Sequence, residues 1–190
     1  ETPWLNMPYE KTLYSQSVDK EGKDIKKYYL DVAFDKLKGS KDINYLQRNM
    51  FNLLSLLDNK IVESCYNYSS NWLGQDYALI ENGLDKIIDM YQPSIRCVFN
   101  NNGDIDAPPA LRLKFSSKND NYNVYIFDHK KERAEIDKLV KGCNIKSIIQ
   151  FSGLWFDDGY FGTTWNIVQA KVDNPEKFSS YSFKNNDEEL

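Results

Sequence analysis

Histidine and cysteine are scarce in this chain: its 190 residues include one histidine, His129, and three cysteines, Cys65, Cys97 and Cys143. The cysteines are far apart and form no C-x-x-C pair, which excludes a disulfide-stapled miniature and a readable zinc site and suits free thiols in a reducing compartment. His129, between Asp128 and Lys130 in an expected loop, reads as a solvated residue, and one histidine is little to build a metal site or a His-paired nucleophile from. No apolar run approaches the roughly twenty residues that cross a bilayer, so no membrane partner is expected. The first residues lack a basic n-region and an apolar h-region, so secretion is not expected either. Neither a P-loop nor a dinucleotide fingerprint nor a nucleophile elbow is present, and no cofactor is expected. Positive charge is in deficit too: the formal net charge is -4, against a generic basic nucleic-acid binder. Part of that negative charge lies in the short acidic tail 185–190, Asn185-Asn186-Asp187-Glu188-Glu189-Leu190, expected to lie outside the folded body.

Patterned segments fill the rest. Residues 1–24, with two prolines and the charged run from Asp19 to Asp24, read as an extended arm and a turn. From Ile25 to Phe34, Tyr28, Leu30, Val32 and Phe34 alternate as in a half-buried strand, taken as the first strand of a barrel. The period then changes: Ile43, Leu46, Met50, Leu53, Leu54, Leu57 and Ile61 form an amphipathic helical stripe, with Asp42 as its N-cap. Ile80, Leu84, Ile87, Ile88 and Tyr91 form a second stripe, ended near Pro93. A helical insertion over 42–91, packed on a sheet, is expected. Strands follow at Ile95–Phe99, Ala110–Phe115 and Tyr122–Phe127, with Pro108-Pro109 at a strand entrance that needs no ladder donor. In Ala110–Phe115, Leu111, Leu113 and Phe115 share an apolar face, while Arg112 and Lys114 share a cationic one that Arg96 and Lys146 extend if their strands are neighbours. Lys130 to Lys141 suggests a short helix stopped by Gly142.

The stretch Ile145 to Val172 reads as two long strands around the turn Asp157-Asp158-Gly159. Trp155, Phe156, Tyr160, Phe161 and Trp165 crowd that turn, either as packing or as a surface for a partner. In the second arm Phe161, Thr163, Trp165 and Ile167 share one parity and Val168, Ala170 and Val172 the other, which implies a bulge or bend, with Gly153 and Gly162 placed where kinks are tolerated. The element order favours an α+β, mainly β fold: an oligonucleotide-binding (OB-fold-like) antiparallel barrel with a helical insertion after its first strand, one domain over 1–184.

The run Ser147-Ile148-Ile149-Gln150-Phe151-Ser152-Gly153-Leu154-Trp155-Phe156, with Phe161-Gly162 and Thr164-Trp165-Asn166-Ile167-Val168-Gln169, resembles the C-terminal signature of the single-stranded DNA-binding proteins of nucleocytoplasmic large DNA viruses. Pro108 to Phe115, P-P-A-L-R-L-K-F, is similar to a second motif of that family. The resemblance implies an OB fold, akin to the gene 2.5 type proteins of short-tailed phages, that coats single strands in viral DNA replication, recombination or repair. It implies single-stranded DNA as partner and is silent over the helical region 42–91. Replication proteins, through the acidic tail or the helical insertion, and a second copy of the chain in a homo-oligomer are left open as further partners. Its setting would be the host cytoplasm at a viral replication site, or the nucleus. The tail here ends in Leu190, where the phage group has an aromatic residue. The implied mechanism is a cationic groove along the phosphates with aromatic rings stacking on bases. The stacking candidates are Trp155, Phe156, Tyr160, Phe161 and Trp165, and the phosphate candidates are Arg96, Arg112, Lys114, Lys146 and Lys171.

Two rivals remain. Asp104 and Asp106 offer two loop carboxylates for a magnesium-dependent nuclease, without a further acid or a base. An adaptor protein, binding a replication or virion protein through its helices and hairpin aromatics, suits the acidic composition better.

Overall fold

The computed structural model describes residues 1–34, 45–103 and 105–173. Asp42, Asp104 and the acidic tail 185–190 lie outside the described residues.

The described strands are β1 (Leu5–Asn6), β2 (Thr12–Val18), β3 (Asp24–Ala33), β4 (Tyr91–Gln92), β5 (Ile95–Phe99), β6 (Ile105–Lys118), β7 (Asn121–Tyr122), β8 (Tyr125–Phe127), β9 (Arg133–Ala134), β10 (Asn144–Asp157) and β11 (Tyr160–Asp173). Five of them close into a ring: β1 pairs with β3, β3 with β6, β6 with β11, β11 with β10, and β10 with β1. Ranked along the chain, the ring order is 1-2-3-5-4, with all contacts antiparallel except the parallel bridge between Asn166 of β11 and Lys114 of β6. This is a mainly β, OB-like barrel, as the element order implies.

Alternation along the strands builds its core. Leu30 and Val32 of β3, Leu111, Leu113 and Phe115 of β6, Ile145 of β10, and Ile167, Ala170 and Val172 of β11 all point inward and are buried. The parity change in β11 has the expected cause: Ile148 pairs with Gln169 and Ile149 with Ile167, so Val168 is the extra residue of a bulge. A second bulge leaves Ser152 unpaired between Phe151 and Gly153, and Gly153 takes a φ of 113° there. Each bulge sharpens the coil of a long strand, which the closure of a small barrel requires.

Three features differ from the sequence reading. The two-residue β1 is the first strand of the ring, so the helices follow its second strand, β3. So short a strand carries no readable period. Residues 130–141 form no α-helix: they hold β9 and one 3-10 turn at Ile136–Lys138, because β9 pairs with β8 and takes up the backbone groups a helix would need. Pro108 and Pro109 sit inside β6, yet still need no donor, because the β5 register skips them between Arg96↔Ala110 and Val98↔Ala107.

The helical segment comprises α1 (Tyr45–Asn67), α2 (Ser69–Leu73) and α3 (Gly83–Met90). Its buried face is narrower than the apolar stripe: Leu54, Ile61 and Cys65 of α1 are buried, whereas Leu53 is exposed. Leu54 packs into the barrel core, whereas Ile61 and Cys65 join Ile87, Tyr91 and Phe161 in a second core between the helices and the far end of the β10–β11 hairpin.

Candidate nucleic-acid interface

A groove of about 280 Å³ opens on the outer face of β3 and β6, lined by Tyr14, Tyr29, Arg96, Arg112, Lys114, Trp155, Thr163 and Trp165. The pleat explains the lining. Leu111, Leu113 and Phe115 turn inward, so Arg112 and Lys114 turn outward, facing Asp31 and Tyr29 directly across the β3–β6 pair. Arg96 of β5 adds its guanidinium at the rim. On one side stands β2, where Tyr14 is the extra residue of a bulge between the pairs Leu13↔Tyr28 and Ser15↔Lys27. The bulge re-aims Tyr14 toward Tyr29, with the two ring centroids 5.9 Å apart. On the other side stands the β10–β11 hairpin, supplying Trp155, Thr163 and Trp165.

Cations and rings interleave in the groove. The Arg112 guanidinium lies 3.6 Å from the Tyr29 ring centroid and the Lys114 ammonium 5.8 Å from that of Tyr14. Two hydrogen bonds of 2.8 Å bind Arg112 to the Asp31 carboxylate, which raises its already high pKa. Among the described residues Lys114 has no such partner. Its pKa is pushed down by partial burial first, and then by Arg96, Arg112 and Lys27. Arg96 is lowered likewise, by the surrounding protein and then by Arg112. Beyond burial, Arg96 and Arg112 lower Lys114 and Arg112 lowers Arg96, so the groove carries a local positive potential, which an anion relieves.

Trp155 and Trp165 reach the groove by different means. Trp155 crosses over Gly162, its partner in the hairpin register. A Cβ at Gly162 would lie 2.9 Å from Trp155 Cζ2 and 2.8 Å from the Gln92 carbonyl oxygen, so the glycine makes room for both. Trp165 packs edge-on to Phe151 at 5.3 Å and donates from Nε1 to Ser94 Oγ at 3.1 Å.

The remaining candidates lie elsewhere. Phe161 is fully buried between Tyr91 and Phe156 and cannot stack on a base in this conformation. Phe156 and Tyr160 are half exposed at the hairpin tip, with Phe156 against Trp72 of α2, and neither lines the groove. Lys146 and Lys171 face each other across β10 and β11 at a separate cavity of about 400 Å³ that also holds Trp4. Lys146 is bound there to Glu1 at 2.6 Å. The sequence reading missed Tyr14, Tyr29, Asp31 and Thr163. Tyr29 and Asp31 were open to it, since they share the parity opposite to Leu30 and Val32.

Other sites fare less well. His129 is exposed, as expected of a loop residue. Among the described residues no three His, Cys, Asp or Glu side chains gather to hold a metal, and no helix is long and apolar enough to cross a membrane.

A model described as a family of unknown function, DUF5871, matches residues 31–185. The chain belongs to that family. Comparison with curated proteins found no match. Among solved structures, the chain is similar to a single-stranded DNA-binding protein from bacteriophage Enc34 in complex with ssDNA, at 12% identity and a TM-score of 0.48, over 92% of this chain and 85% of that one. It is also similar to gp2.5, a single-stranded DNA-binding protein encoded by bacteriophage T7, at 10% identity and a TM-score of 0.45, over 97% and 96% of the two chains. For the DUF5871 chain itself, the OB-like topology rests on its own strand pairing.

Proposed function

We propose that this protein binds single-stranded DNA along the β3–β6 groove, without sequence preference and without turnover. One observation carries the reading: the interleaved cations and rings occupy the face of the second and third ring strands, between the arm that joins strands 1 and 2 and the hairpin that joins strands 4 and 5. In OB folds that face and those two loops bind oligonucleotides. Lys114 and Arg96 contact phosphates, while Trp155, Trp165 and Tyr14 supply ring faces to successive bases. The coating of single strands in viral DNA replication, and the nucleocytoplasmic large DNA virus setting implied by the motif resemblance, belong to this proposal. The net charge of -4 does not oppose it, because the groove concentrates positive charge locally.

Fluorescence-anisotropy titration of a labelled poly-dT oligonucleotide at two salt concentrations tests the reading. Binding that weakens steeply with salt, and weakens further in Trp155→Ala, is expected. No binding at low salt overturns it and favours the adaptor reading, for which the half-exposed Phe156 and Tyr160 beside α2 supply a surface.

A further inference from the structure

We infer that Asp58, on the helical insertion, is a positioning residue for Trp165 in the groove, acting through Ser94; the inference rests on the groove being the DNA-binding site. Asp58 is buried in the middle of the apolar face of α1, one turn from Leu54 and from Ile61. A buried carboxylate is costly unless donors surround it. Three do: Tyr91 Oη at 2.6 Å, the Ser94 backbone N–H at 2.9 Å and Ser94 Oγ–H at 2.7 Å.

The third bond has a directional consequence. A serine hydroxyl has one proton, and Ser94 spends it on Asp58, so Oγ is left with lone pairs alone. Those accept the Trp165 indole N–H at 3.1 Å and the Thr163 hydroxyl at 2.8 Å. Asp58 thus fixes Ser94 as an acceptor, and the acceptor fixes the polar edge of the indole at the groove wall. An indole N–H can only donate, so a Ser94 hydroxyl turned the other way would repel it. The relay runs from helix α1, through the segment between β4 and β5, to β11. It gives the helical insertion a part in the groove although none of its described residues lines it.

A double-mutant cycle tests the relay. Ser94→Ala removes the bridge while Asp58 keeps two donors, and Trp165→Phe keeps a ring without the N–H. Ser94→Ala is expected to weaken poly-dT binding about five- to tenfold in the wild-type background, as for members of one hydrogen-bond network. In the Trp165→Phe background it is expected to change nothing. Asp58→Asn should follow the same pattern. An equal loss in both backgrounds, or no loss in the first, overturns the inference. The indole N–H resonance of Trp165 in the DNA-free protein reports the relay separately. It should be protected from exchange in the wild type and lose protection in Ser94→Ala. An unchanged resonance overturns the relay even if DNA binds. Absence of poly-dT binding by the wild type, with the resonance behaving as expected, overturns the DNA-binding reading of the groove and with it any part for Asp58 in DNA binding.

Discussion

Arg112 is held to Asp31 by two hydrogen bonds while its guanidinium plane covers the Tyr29 ring at 3.6 Å. The pair takes two of the guanidinium's five N–H donors and neutralises its charge, so Arg112 serves as a flat platform more than as a free charge. On the proposed reading, Lys114 and Arg96, which have no carboxylate partner among the described residues, are the better phosphate ligands. Charge-neutralising substitution separates these roles. Lys114→Gln should lower the slope of log K against log salt by about 0.7, the value for one phosphate contact on a single strand. Arg112→Gln should instead cost stability, because it leaves Asp31 without its partner. Titrations at four or five salt concentrations, paired with denaturant melts, check both.

Trp155→Ala and Phe161→Ala should fail in opposite ways. Trp155 lines the groove, and its loss should cost about 1–3 kcal/mol of binding to poly-dT, the worth of one stacked base. Phe161 is buried between Tyr91 and Phe156, and its loss should cost about 3–5 kcal/mol of folding stability. Urea unfolding alongside anisotropy separates the two outcomes.

Gly162→Ala should destabilise the protein by about 1–3 kcal/mol through overpacking. The new methyl would press on the Gln92 carbonyl at 2.8 Å and on the Trp155 ring at 2.9 Å, and the carbonyl belongs to backbone that cannot swing aside. Thermal melts measure the loss, and Trp155 fluorescence should shift with the displaced ring.

Acid should loosen the β2–β3 turn before the barrel. The Lys118 ammonium, 2.6 Å from Asp19, and then the Lys23 and Glu21 backbone N–H groups hold the Asp19 carboxyl below the ordinary carboxylate range. A carboxyl with a lowered folded pKa contributes stability that is complete above its unfolded value, about 3.9, and is lost as pH falls through the folded one. Protection of the Glu21 and Lys23 amides, taken relative to the unstructured exchange rate at the same pH, should therefore fall below about pH 4, and Asp19→Asn should remove that dependence.

The long elements were legible and the short ones were not. β5, β10, β11 and the core of β6 carry runs of period two, and the phase slip at Val168 announced its own bulge. β1 has two residues, and the bulged β2 is exposed on nearly every position, so neither leaves a pattern. Tyr14 was lost with them. Among the aromatics, sequence placed Trp155 and Trp165 but could not separate them from Phe161, because the curl of the hairpin decides which ring meets solvent. Asp58 left a signal of a different kind, a charge in the middle of an apolar helical stripe.

The parallel bridge between Asn166 and Lys114 is where the barrel wall meets itself. Lys114 therefore belongs both to the seam and to the groove, and a strand laid from Arg112 to Trp165 crosses that seam. On the proposed reading, single-stranded DNA in the groove ties the two sides of that seam together, so the melting temperature should rise with the share of the groove that is filled.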